Sequence, residues 1–345
     1  MPRVGQNPLK KLDRRFEAQE VSVCTLVYIP QLDGYWEQSF DVLKLCLGSL
    51  RAHTATPFDL VVLDNGSCAE VREYLLELHA EGVISLLLLA AENLGKTGAW
   101  NVLFPACPGR YLAFMDSDVY FSPGWLERSL EVLRAFENVG MVTGRPSRTA
   151  SIHREAQLSA TLRYAETGAG VTVERGDLVP RAVLDEHARS LGTHGDPAFQ
   201  ERDYEDVRLT RAGVAAYAYA GHFQFVVPKE VALAVLPLEG RQALAGDERE
   251  WDARVNRLGK LRLSLTDPLV RHIGNTMSAD DRAALAVLSQ AGAGAAGATG
   301  SGSGPKRAAR PSDFVTRQLR VLARHRRVRS LLQLGYARLF DVLNG

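Results

Sequence analysis

The sequence predicts an α/β fold: a mostly parallel, doubly wound sheet flanked by helices. Three observations carry this. From Val21 to Met115, short apolar runs rich in β-branched residues alternate with stretches of helical period, the pattern of parallel strands joined by crossover helices. Each run stops at a polar or glycine-containing segment, which gathers the loops on the edge where open α/β sheets bind their ligands. The chain has 345 residues, 46% hydrophobic and 23% charged, enough for one large domain with appendages or for two domains.

The elements follow in order. Residues 1–20 are polar and read as an irregular arm. Val21–Ile29 is an apolar strand that Pro30 ends. Tyr35–His53 carries Phe40, Leu43, Leu47 and Leu50 at helical spacing. Phe58–Leu63 is the second strand and runs into Asp64-Asn65-Gly66-Ser67, a turn by composition. Ala69–Glu81 reads as a helix and Val83–Leu89 as the third strand. Asn93–Asn101 is a glycine-bearing loop entering a helix, and Tyr111–Met115 is the fourth strand. Residues 151–215 are of mixed charge and give no clear pattern. Val214–Val227 reads as an aromatic-rich strand that ends at Pro228 and carries His222 as a packed residue.

Ala291–Pro305, AGAGAAGATGSGSGP, reads as a flexible linker within residues 286–309. Residues 310–345 follow as a basic amphipathic helix, with arginines at 317, 320, 324, 326, 327 and 329 and apolar residues at spacings of three and four. Such a helix suits a membrane surface or a docking partner.

Composition narrows the function. The net charge of +1 gives no whole-chain field for nucleic acid. The cysteines, Cys24, Cys46, Cys68 and Cys107, show no CxxC pairing and fit a reducing compartment. The basic N-terminus lacks an apolar core of the signal-peptide kind, and the longest apolar run, Val83–Ala91, is too short to span a bilayer. The expectation is a cytoplasmic protein, with peripheral contact at the inner membrane face through the basic tail.

The densest chemical signal is Tyr111–Phe121, YLAFMDSDVYF. An apolar run stops at Asp116-Ser117-Asp118, so two carboxylates stand at the mouth of the sheet. If the strand persists, alternation points both the same way. Two hard oxygen donors suit Mg²⁺ or Mn²⁺ carrying a diphosphate.

ENLGKTGAWN, followed by GRYLAFMDSDVYFSPGWL, resembles the nucleotide-sugar domain of the GT-A-fold (Rossmann-like) glycosyltransferases, most closely the large inverting family two. The likeness covers residues 21–150 and resumes near 220–275. It implies a single catalytic domain: a nucleotide-sugar-binding half over 21–150, an acceptor-side half over 151–285, then the linker and helical tail. It also implies a nucleotide-diphosphate sugar donor, a glycan or lipid-linked acceptor, and a divalent ion, Mn²⁺ or Mg²⁺. Residue by residue, the resemblance assigns Asp64 to the nucleobase. Tyr28 matches the end of the family's first strand, although Val27 and Ile29 depart from its usual Thr-Tyr-Asn. Asn93, Gly95, Lys96 and Asn101 match the loop facing the nucleotide. Asp116 faces the ribose, Asp118 ligates the metal, and His272 from a late segment joins it. The family's acidic pair, usually Glu-Asp, is reversed here as Asp247-Glu248, with Glu248 aligned as base and Asp247 beside it.

Two other readings are weighed. A catalytically inactive nucleotide-sugar-binding scaffold, docked through its tail, would explain the departures at Val27, Ile29 and the reversed acids. A sugar nucleotidyltransferase would need a basic glycine-rich loop after the first strand, and Tyr28–Gly34 contains no lysine or arginine.

Overall fold

The first strand is apolar because it is covered on both faces. β1 (Val21–Val27) lies between β2 (Phe58–Asp64) and β4 (Tyr111–Met115), parallel to both, and such central parallel strands lose their polar alternation. β3 (Leu86–Leu89) extends the sheet beyond β2. The computed structural model describes residues 17–149, 153–193, 205–239 and 248–298, and Ala18–Ala295 form one compact unit. Among the described residues the main sheet has ten strands in the order β3-β2-β1-β4-β10-β6-β11-β9-β8-β7. Here β6 is Val139–Thr143, β7 Val171–Gly176, β8 Asp206–Arg211, β9 Val214–Tyr217, β10 Gln224–Pro228 and β11 Leu261–Leu265. β10 runs antiparallel to β4 and β6, and β11 parallel to β6. The expected α/β class with a mainly parallel sheet is therefore observed, with an antiparallel extension from β9 to β7.

Side-chain alternation divides the core between the two faces of the sheet. Ala113 and Met115 of β4 pack with α1 (Ser39–His53), α2 (Ala69–Ala80) and α4 (Trp125–Ala135). Leu112 and Phe114 point the other way, toward α3 (Lys96–Ala106), α7 (Lys229–Val235) and α8 (Glu248–Arg257). That second face holds an aromatic cluster. Trp100 stacks on Phe104 at 5.5 Å and meets Phe114 and Trp251 edge-on at 5.2 and 5.4 Å. α8 is fixed near its C-terminal end. Asn256 takes the backbone N–H of Ala160 and donates to Ala156 O in α5 (Arg154–Thr167), and Arg254 donates to Val235 O.

Four features differ from the sequence expectation. The run read as one strand over 214–227 is two, β9 and β10, broken by residues 218–223, so His222 lies in a loop. The unreadable stretch contains α5, β7, α6 (Arg181–Ser190) and β8. A second sheet of two short strands, β5 (Val119–Phe121) and β12 (Val270–His272), was not foreseen. Finally, α9 runs Ala279–Ala298, so the first part of the segment read as a flexible linker is helical; alanine, the best helix former, offsets the glycines there. The rest of that segment, most of the N-terminal arm and the basic tail lie outside the described residues. No described helix is long and apolar enough to cross a membrane, and all four cysteines are free.

α9 begins with a reciprocal cap. Ser278 Oγ accepts the Asp281 N–H at 3.1 Å, and Asp281 Oδ2 accepts the Ser278 N–H at 2.9 Å. Asp281 is buried and also pairs with Arg271 of β12, so the cap ties α9 to the smaller sheet. Ser278→Ala is expected to cost about 1 kcal/mol, read as a lower midpoint in urea unfolding.

Candidate active site

The strand stops at Met115, so Asp116 and Asp118 are presented by a turn and not by strand alternation. Backbone bonds fix that turn. Asp116 N donates to Phe223 O at 2.7 Å, and Ile273 N donates to Asp118 O at 2.7 Å. The antiparallel register of β12 on β5 sets His272 opposite Val119. This brings His272 Nε2 to 3.2 Å from Asp118 Oδ2, while His272 Nδ1 contacts Ser190 Oγ at 2.9 Å. The late histidine read from the sequence therefore reaches the second aspartate. Asp118 Oδ1 is buried and has no hydrogen-bond partner in the protein.

Lys96 opens α3, and Gly95, with φ of +70°, turns the chain into it. Its ammonium bridges Asp116 Oδ2 at 2.9 Å and Glu248 Oε1 at 3.0 Å. Glu248 opens α8, so the ammonium joins the edge of the sheet to the acidic helix start.

The electrostatics follow from these contacts. Burial and the neighbouring Asp118 raise Asp116 to about 6, against the pull of Lys96. Burial also pushes Asp118 upward, but the bond and charge of His272 outweigh it and hold this carboxyl below the ordinary range. His272 is raised in turn: burial disfavours its cation, and the Asp118 carboxylate more than compensates. Burial likewise opposes ionisation of Glu248, and Lys96 overrides it, leaving the carboxyl lowered.

The other residues read from the sequence lie in the surrounding loops and helices. Asp64 is fully buried. Its Oδ1 accepts the Ser67 N–H at 2.9 Å and its Oδ2 accepts from Arg72 Nε at 3.0 Å, so it closes the turn after β2. Asn93 stitches two loops: its Oδ1 accepts from Asn65 Nδ2 at 2.9 Å and from Gly95 N at 2.8 Å. Between them Gly66, at φ +92°, leaves room for Glu92, whose carbonyl carbon would lie 3.3 Å from an added Cβ. Asn101 points away from the nucleotide loop and pairs with both backbone groups of Leu238, at 2.8 and 2.9 Å. Tyr28 is half-buried and packs edge-on against Trp36 at 5.7 Å. Asp247 lies outside the described residues.

Sequence reasoning missed one group. His222 Nε2 lies 2.6 Å from Asp252 Oδ2, and Asp252 Oδ1 lies 2.6 Å from Arg262 Nη2. Asp252 stands one helical turn after Glu248, hence on the same face of α8. That spacing was the available signal, but the partner histidine is 30 residues away.

Lys96, Asp116, Glu248, His222 and His272 line one cavity of about 310 Å³, together with Val183 and Leu184 of α6. Among the described residues no group of three or more His, Cys, Asp or Glu forms a ready metal cage. The donors present nevertheless suit a hard divalent ion that keeps most of its shell from phosphate and water: two carboxylates two residues apart, one with a buried oxygen that has no protein partner.

The carboxyl edge of the parallel strands thus carries a lysine-bridged acidic cavity. The family model described as glycosyl transferase family 2 matches residues 35–179. The match spans less than half of the chain and falls on the stretch whose order of motifs resembles the same family. Among curated proteins, a glycosyltransferase of Nostoc sp. strain PCC 7120 (alr2836) is 29% identical over 100 residues, which are 29% of this chain and 31% of the relative. The glycosyltransferase EpsH of Bacillus subtilis strain 168 is 28% identical over 88 residues, 26% of this chain and 25% of the relative. The matched stretch thus spans about a third or less of these relatives. Among solved structures, S. aureus TarS 1-349 aligns over 79% of this chain and 64% of its own, with 14% identity and a TM-score of 0.42.

Proposed function

We propose that this chain transfers a sugar from a nucleotide-diphosphate sugar to an acceptor hydroxyl, with inversion at the sugar carbon. The observation that carries the reading is the convergence of Lys96, Asp116, Glu248 and His272 from separate elements on one cavity at the carboxyl edge of the sheet, with Asp118 paired to His272, in a chain whose residues 35–179 match the family 2 model.

On this reading Asp118 holds Mn²⁺ or Mg²⁺, with Asp116 and His272 beside it, and the ion neutralises charge on the departing diphosphate when bound. Lys96, at the start of α3, adds a cation where a helix N-terminus already favours phosphate. The acceptor is a glycan or lipid-linked hydroxyl that enters from the α6 side. A base near the start of α8 removes its proton as it attacks; the sequence alignment puts Glu248 in that role, next to Asp247.

The test is a thermal-shift series of UDP, GDP, dTDP and CDP and their sugars on the full chain, with and without Mn²⁺. Ligand that binds only the folded protein raises its melting temperature. One nucleotide class is expected to give a metal-dependent shift. Absence of any shift would remove the reading. The shift should also depend on pH. Protonated Asp116 is a poor metal ligand, and its carboxyl titrates near 6. Protonated His272 is no ligand at all and stays charged to higher pH than usual. Both effects weaken metal-dependent binding as pH falls, so the shift should begin to shrink where His272 takes up its proton, above the usual histidine range, and shrink further through about 6 as Asp116 does.

A further inference from the structure

We propose that Ser190 is a positioning residue for the metal: its hydroxyl fixes the tautomer of His272, so that Nε2 is the nitrogen that meets the ion with a lone pair. The inference rests on the glycosyl-transfer reading with a bound divalent ion and deepens it.

A hydroxyl has a single proton to donate and otherwise only accepts. Ser190 Oγ lies 2.8 Å from the backbone carbonyl oxygen of His187, one turn back in α6. A carbonyl oxygen only accepts, so the serine proton stands between these two oxygens. The same Oγ lies 2.9 Å from His272 Nδ1. With its proton committed, the hydroxyl offers the ring only a lone pair, and Nδ1 is the donor. Nδ1 therefore keeps its proton whatever the charge of the ring, and Nε2 is left as the nitrogen able to ligate. Nε2 is also the nitrogen that faces Asp118, at 3.2 Å. The opposite arrangement, with the hydroxyl donating to Nδ1, would set two oxygen acceptors 2.8 Å apart with no proton between them. It would also place the ring proton on Nε2, toward the ion.

Packing fixes the pose of the ring as well. Phe223 and His187 meet it edge-on, with centroids at 5.7 and 5.8 Å. Gly274, at φ +82°, brings the chain after His272 so close to the end of α6 that an added Cβ would lie 2.7 Å from Ser190 O. Arg271, next to His272 in β12, reaches Glu186 of α6 and Asp281 of α9. The end of α6 and β12 are thus tied together, with the Ser190 hydroxyl against the imidazole. A partner on the far nitrogen of a ligating histidine orients the ring and raises its basicity toward the metal. Ser190 belongs to the stretch of mixed charge that gives no pattern in sequence, and its partner histidine is 82 residues away.

The test measures Mn²⁺ affinity and not turnover. The thermal shift of the full chain is followed against Mn²⁺ concentration with UDP, GDP, dTDP and CDP in turn, for wild type, Ser190→Ala, Ser190→Thr and His272→Ala. The melting temperature without ligand is the folding control. Ser190→Ala is expected to need roughly 10- to 100-fold more Mn²⁺ for the same shift. Ser190→Thr keeps the hydroxyl and should stay close to wild type. Adding Ser190→Ala to His272→Ala should change nothing further, because one residue acts through the other; a serine that only packs α6 would cost the same in both backgrounds. Ser190→Cys, whose sulfur is a weak acceptor, gives the same reading if the alanine variant does not fold. A folded Ser190→Ala variant with the wild-type Mn²⁺ dependence, or an equal loss with and without His272, overturns the proposal and leaves the metal reading in place. A wild type with no Mn²⁺-dependent shift for any nucleotide overturns the metal reading, and the proposal with it.

Discussion

Asp118→Asn is expected to remove the metal-dependent nucleotide response and to lower turnover by roughly 10²- to 10³-fold, while the protein stays folded. The carboxylate has one oxygen on His272 and a second, buried oxygen with no protein partner. An amide keeps the size but loses the charge that draws a divalent ion and the doubly ionic acceptor set such an ion prefers. The backbone carbonyl of residue 118, which takes the Ile273 N–H, is unchanged, so the turn and the β5–β12 pairing should persist. The checks are the Mn²⁺-dependent thermal shift and the rate of nucleoside diphosphate release. A variant with wild-type values in both would show that Asp118 does not serve the metal.

The largest effect on stability is expected at Trp100. The indole is fully buried among Phe104, Phe114, Phe225 and Trp251. Removing a buried aromatic ring costs about 3–5 kcal/mol, because the surrounding core closes only in part over the cavity. Circular dichroism during urea unfolding should show Trp100→Ala at a much lower midpoint. Leu76→Ala on the exposed side of α2 should fall within about 0.5 kcal/mol of wild type. The ring also supports the site: Lys96 Nζ lies 5.7 Å from its centroid, and α3 and α8 meet across the cluster. Nucleotide binding by Trp100→Ala should therefore weaken even where the variant is still folded.

The nucleotide-side half was legible because its signals are local. β1, β2 and β4 are apolar runs covered on both faces, and their ends are marked by Pro30, the Asp64 turn and Asp116. What could not be read depends on partners far along the chain. His222 looked like a strand residue because AYAYAGHFQFVV alternates well, yet β9 and β10 are separate strands, and the ring's partner, Asp252, is 30 residues on. The β5–β12 ribbon joins two three-residue strands about 150 residues apart, too short to register as periodicity. Asp64 and Asn101 have side chains that suit ligand binding, and the fold uses both to hold backbone. The Ala/Gly-rich stretch after Gln290 reads as linker by composition, although α9 continues through Ala298.

The most direct measurement of the central claim is release of nucleoside diphosphate from a nucleotide-diphosphate sugar by the purified full chain in Mn²⁺. Transfer predicts release at a measurable rate, with water as a slow acceptor, inhibition by chelator and loss in Asp118→Asn. A protein that binds the nucleotide sugar with metal yet releases nothing, with water or with hydroxyl acceptors present, would contradict it and would be a binding protein built on a transferase fold.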